Sequence, residues 1–121
     1  MHPPARAALL AVLALSAAFS LQAASRPKVE QAKIEALLSA MQSSDAVFIR
    51  NGKEYTGRKA ASHLKRKLTF AGDRVRTARD FIAGIATRSE ETGEPYRVRF
   101  PSGEVRSLAN WLNERLSALG S

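Results

Sequence analysis

Residues 48–67, FIRNGKEYTGRKAASHLKRK, hold the turn that decides the fold and a helix whose pattern contains one misplaced charge. Asn51-Gly52 lies between extended, β-rich runs. It predicts a two-residue type I′ hairpin over Ala46–Thr56, because both central positions need positive φ. The register that follows sets Arg50 opposite Lys53, Ile49 opposite Glu54 and Phe48 opposite Tyr55. Phe48, Arg50 and Tyr55 then share one face, and Val47 and Ile49 the other. From Gly57 to Ala71 the period becomes helical. Ala60, Leu64, Leu68 and Ala71 form an apolar stripe with Ala61 beside it, while Arg58, Lys65 and Arg66 project away. Lys67 falls inside the apolar arc, with His63 one turn earlier at its edge. A lysine there can lay its stem along the core and still bring its ammonium to water.

Outward from this stretch the same grammar recurs. Ile34, Leu37, Leu38 and Met41 mark a helix over Arg26–Ser43, with Ser25 as its expected N-cap and Pro27 in its first turn. On the other side Gly72-Asp73 breaks the chain. Thr77 and Asp80 open a further helix as a capping box, and Ala78, Phe81, Ile82 and Ile85 form its buried face. Thr87–Pro95 is polar and reads as a loop. Tyr96, Val98 and Phe100 alternate with Arg97 and Arg99 as a half-buried strand does. Pro101-Ser102-Gly103 turns into a return strand around Val105. Ser107 caps a last helix with stripe Leu108, Trp111, Leu112, Leu116 and Leu119. The expected fold is α+β: a helix–hairpin–helix unit occurring twice, αββα-αββα, in a single compact domain. A shift of 48 residues aligns Ala60 with Leu108, Leu64 with Leu112 and Leu68 with Leu116, which raises an internal duplication as a hypothesis.

The beginning of the chain has another character. Met1–Arg6 is basic, Ala7–Leu21 is apolar, and small residues follow at Ala23, Ala24 and Ser25, the layout of a secretory signal peptide. The apolar run is shorter than the about 20 residues that span a bilayer. We therefore expect a signal peptide over 1–24, cleaved after Ala23 or Ala24, and one domain over 25–121. The implied location is periplasmic or secreted, with no transmembrane anchor after cleavage; an uncleaved anchor helix is the alternative. With no cysteine in the sequence, a lipoprotein anchor, disulfides and thiolate metal sites are excluded. The net charge is +8, an excess that favours anionic partners such as lipopolysaccharide, anionic phospholipid or acidic polymers; solubility alone is the competing explanation.

The chain resembles the YfeK-like family of small secreted proteobacterial proteins of unknown function, from about Glu30 to Leu116. The likeness rests on Phe48-Ile49-Arg50-Asn51-Gly52, on Ala60 with His63-Leu64 and Lys67, on Phe81-Ile82, and on Ser89 through Thr92-Gly93 leading into Pro95-Tyr96. It implies a signal-bearing envelope protein and brings no catalytic residues with it.

The chemistry-bearing residues are sparse. A hydrolase would need His63 as base with Ser89 or Ser62 as nucleophile, and no strand-to-helix nucleophile elbow is present. His2 leaves with the signal, so His63 stands alone among histidines, and Glu90, Glu91 and Glu94 read as a solvated acidic loop. No catalytic residue, metal site or cofactor is assigned. A basic helix suggests helix-turn-helix only superficially, since the hairpin precedes it and export removes the protein from cytosolic nucleic acid. The expectation is a non-enzymatic binding or accessory protein of the bacterial envelope, engaging an anionic component or an envelope protein. Its candidate ligand-binding residues are Arg50, Tyr55, His63 and Lys67, a set suited to carboxylate or phosphate. Two alternatives stay open, a small envelope hydrolase using His63 and a protein–protein interaction module. A bland role stays open too, in which Tyr55 and His63 cap the core edge and hydrogen-bond the nearby hairpin.

Overall fold

In a computed structural model, which describes residues 25–120, Asn51 and Gly52 carry φ angles of 52° and 75°. The strands they join, β1 (Val47–Arg50) and β2 (Lys53–Tyr55), pair in the expected register. The predicted signal peptide lies outside the described residues. Before the hairpin runs α1 (Lys28–Ser43), and after it α2 (Gly57–Ala71). A 3₁₀ turn (Gly72–Arg74) leads to α3 (Ala78–Gly84), a second hairpin of β3 (Arg97–Arg99) and β4 (Val105–Ser107), and α4 (Leu108–Ala118). The described residues thus form a single α+β domain with four α-helices and a four-stranded antiparallel sheet, in the element order αββα then αββα.

Sequence periodicity is local and is silent on how the hairpins meet. They join through their inner strands, in the order β2-β1-β3-β4, with Phe48 paired to Val98. Directly paired residues share a face, so Tyr55, Phe48, Val98 and Arg106 stand in one row across the sheet. The helices cover that face. Phe48 and Phe100 each meet Trp111 of α4 edge-on, at centroid distances of 6.0 and 6.1 Å. Ile34 and Met41 of α1, Leu64 of α2, Phe81 of α3 and Leu112 of α4 complete a core that runs from Ile34 to Leu112. A chain beginning at Ser25 therefore contains the whole of it. The opposite face carries Ile49, Glu54, Arg97 and Arg99, and an Arg99–Glu54 ion pair of 2.8 Å crosses it.

Helix ends show where local signals held and where tertiary contacts overrode them. The Thr77–Asp80 capping box forms, and Ser107 caps α4 by accepting from Asn110 N. The first helix differs from expectation: it starts at Lys28 with Pro27 as N-cap, and no side chain caps it. The cause is Arg26, whose guanidinium donates to the carbonyls of Val75 and Gly72 and holds the preceding segment against the 3₁₀ turn. Glu30 of α1 instead serves α3, accepting from Ala78 N at 2.8 Å, and this bond lowers the Glu30 carboxyl pKa. In α2 the buried line is Gly57, Ala61, Leu64 and Leu68, so Ala61 rather than Ala60 lies at the centre of the stripe. Leu119 falls outside α4 and is 45% exposed, contrary to its expected place in the stripe. A shift of 48 would set the cap Thr56 on Glu104, whereas the equivalent cap is Ser107; Gly57, not Ala60, occupies the position of Leu108.

Candidate functional site

The first half of α2 and the hairpin face each other. Between them lies a cavity of about 540 Å³. Each element supplies its polar lining for a local reason. In β1 the two-residue turn fixes Arg50 on the helix-covered face, and the same register brings Tyr55 of β2 beside it. In α2 the spacing i, i+4, i+7 presents Lys59, His63 and Arg66 along one line. Tyr96 closes the far side, and Arg97, whose side chain belongs to the opposite sheet face, borders it at the strand. Every charged side chain in this lining is basic.

Arg50 and His63 are the central pair. Arg50 reaches Glu91 Oε1 from Nη2 at 3.4 Å, but its Nε is buried and donates to nothing among the described residues. His63 Nε2 is likewise buried without a partner among the described residues. Burial lowers the His63 pKa, and the positive charges of Arg50, Lys67 and Arg66 lower it further. For Arg50 burial opposes the charge, yet Tyr55, Tyr96 and Glu91 outweigh it and raise the pKa. Buried polar groups normally find partners, and here two are orphaned in one basic cleft.

Lys67 was expected to join this group, and the structure places it elsewhere. Its Nζ donates to the carbonyls of Ile85 (2.9 Å) and Arg88 (3.3 Å) and to Tyr96 Oη (3.1 Å). Both His63 and Lys67 touch Tyr96: the imidazole stands edge-on to its ring, and the Lys67 ammonium lies 5.1 Å from the ring centroid. Only His63 borders the cavity. The misplaced lysine is thus a clamp on the segment after α3. Three of the four predicted residues, Arg50, Tyr55 and His63, come together. Lys59, Arg66, Tyr96 and Arg97 were missed as lining. Tyr96 was legible as a strand residue on the Val98 face, but the strand pairing that sets it beside Arg50 is not a local signal.

The loop following α3 buries Ser89 and engages its hydroxyl. Ser89 is 1% exposed, and its hydroxyl accepts from Asn51 Nδ2 (3.1 Å) and Glu91 N (3.2 Å). Thr92 in turn donates to Asn51 Oδ1. The turn residue therefore plugs into the loop with its whole carboxamide. Ser62 is exposed on the cavity rim, but it neighbours His63 in a helix, so the two side chains diverge by about 100°. Asn51→Gly keeps the turn geometry and removes the plug. It should lower stability by about 1–2 kcal/mol in urea unfolding, the cost of two lost side-chain hydrogen bonds with one buried partner; an unchanged midpoint would show the plug to be idle.

Residues 28–120 match a family described as "Family of unknown function (DUF5329)". A curated relative, "Uncharacterized protein YfeK" of Salmonella typhimurium, is 43% identical over 68 residues, covering 55% of this chain and 57% of that protein. No solved structure matches. The resemblance read from the motifs is borne out. The structure adds that Asn51 hydrogen-bonds both Ser89 and Thr92, and that Lys67 hydrogen-bonds Tyr96.

Proposed function

The chain belongs to the DUF5329 family of unknown function, and on that premise we propose a non-enzymatic binding or accessory protein of the bacterial envelope, exported by its N-terminal signal, that holds an anionic group in the cleft between α2 and the first hairpin. One observation carries this reading. The residues lining the cleft include Arg50, Lys59 and Arg66 and no carboxylate, and beside it the Arg50 Nε and His63 Nε2, both shielded from solvent, have no partner among the described residues. An oxyanion offers acceptors to Arg50 and, once His63 is protonated, to His63 as well. Concavity at these residues favours a ligand over a flat partner surface. The two helix–hairpin–helix units are further read as copies of one unit, which superposing 28–70 on 76–118 tests.

The experiment is an NMR titration of His63, the one histidine in a chain beginning at Ser25. Inorganic phosphate in the cleft offsets the repulsion from Arg50 and Arg66, so the His63 pKa should rise with phosphate and stay put in Arg50→Ala. A His63 pKa indifferent to phosphate would sink the proposal. The linkage to folding has a definite sign. With its folded pKa depressed below the ordinary 6.5, His63 contributes its full stability above that value. The contribution falls away as pH drops through 6.5 towards the folded pKa. Phosphate should blunt this acid loss, and His63→Gln should abolish it.

A further inference from the structure

Lys59, His63 and Arg66 border the cleft along one line of α2, and four residues later the same line reaches Phe70. At 3.6 residues per turn these four positions fall within about a sixth of the helix circumference, and Phe70 lies ~6 Å further along the axis than Arg66. Phe70 is 88% exposed, the most open of the large apolar side chains among the described residues, ahead of Val29 at 62%. Its surroundings are basic. Arg66 precedes it by one turn, and Arg74 follows, its guanidinium donating to the carbonyls of Phe70 and Ala71. Between Gly57 and Arg74 the sequence holds six lysines and arginines against a single acid, Asp73. A scattered exposed hydrophobe needs no explanation. A bare phenylalanine at the end of a cationic line leading from a cationic cleft has the composition of a surface that rests on an anionic bilayer.

We propose that this face of α2 docks on an anionic membrane surface, with Phe70 entering the headgroup region and the cleft taking the phosphate of an anionic phospholipid. The inference rests on the anion-binding reading above and adds its source, a lipid headgroup rather than a free phosphate. The geometry assigns separate tasks: Phe70 supplies apolar immersion, Arg66 and Arg74 the attraction to surface charge, and Arg50 with His63 the hydrogen bonds to one phosphate.

The test uses a chain beginning at Ser25 and sedimentation with vesicles of phosphatidylglycerol and phosphatidylcholine, against phosphatidylcholine alone, at about 0.1 M salt, where loose surface attraction is largely screened. The chain should bind the anionic vesicles only. Phe70→Asp should weaken that partition about tenfold or more while leaving the phosphate-induced rise in the His63 pKa intact. Phe70→Trp should show a blue-shifted emission with anionic vesicles. Wild-type partition by Phe70→Asp overturns the proposal. So does failure to bind anionic vesicles by a chain whose His63 still answers to inorganic phosphate, and in that case the cleft survives as a site for a soluble anion. If neither vesicles nor phosphate acts, the anion-binding reading falls with it. Vesicle binding that depends on Phe70 without any response of His63 removes the cleft from the proposal and overturns it as stated.

Discussion

Lys67→Met is expected to lower the unfolding free energy by about 2–3 kcal/mol in urea unfolding, whereas Lys65→Met, two positions away and exposed, should change it by under about 0.5 kcal/mol. Methionine keeps the apolar stem, so packing along α2 is preserved and the loss isolates the ammonium. That group serves three acceptors at once, two of them carbonyls of the segment leaving α3. A hydrogen bond to a charged group is worth about 1.5–3 kcal/mol, and Ile85, 6% exposed, holds its carbonyl where water is scarce. The Glu90 ion pair at 3.7 Å adds little, since its carboxylate is 77% exposed. Amide exchange should accelerate across residues 85–95 in the variant and stay near wild type in α1. Equal effects of the two lysine substitutions would show that the clamp carries no weight.

Gly57→Ala is expected to be costlier still, by about 3 kcal/mol or more, and its sign is the informative part. Helix propensity alone favours alanine by up to about 1 kcal/mol. A β-carbon at Gly57 would overlap the Met41 carbonyl oxygen and come within 3.1 Å of Phe48 Cε1. The first obstacle is backbone, so no rotamer change relieves it. The end of α1 must lift off α2, loosening Met41 and Phe48 in the core. Gly84 at the end of α3 is the matched control, with nothing within 4 Å of an added β-carbon. Gly84→Ala should stabilise by about 0.4–1 kcal/mol through the unfolded chain. A Gly57→Ala protein with an unchanged or higher urea midpoint would mean that the helices separate freely.

The contrast between these glycines marks what sequence can and cannot say. Asn51-Gly52 fixed a register because type I′ geometry is a property of two residues, and Thr77–Asp80 fixed a helix start for the same kind of reason. Gly57 looked like a mere helix beginning, since the atom it must avoid lies on another helix. His63 and Lys67 looked like a pair because i and i+4 share a helix face. No wheel shows that Lys67 would turn to carbonyls after α3 while His63 turned to the cleft. Arg50, Tyr55 and His63 were legible as a group because the hairpin runs directly into the helix. Tyr96 and Arg97 arrive across the Phe48–Val98 pairing, a contact between distant parts of the chain.

The order β2-β1-β3-β4 leaves the sheet bounded by two strands of only three residues each. One margin carries Lys53 and Glu54, the other Arg106 in its ion pair with Glu114. A free strand edge is a template on which another chain can grow, and brevity with charge is how such growth is discouraged. The longest strand, with Phe48 at its centre, is enclosed on both sides. The fold thus withholds its most adhesive backbone from other chains and offers only margins too short and too charged to seed an aggregate.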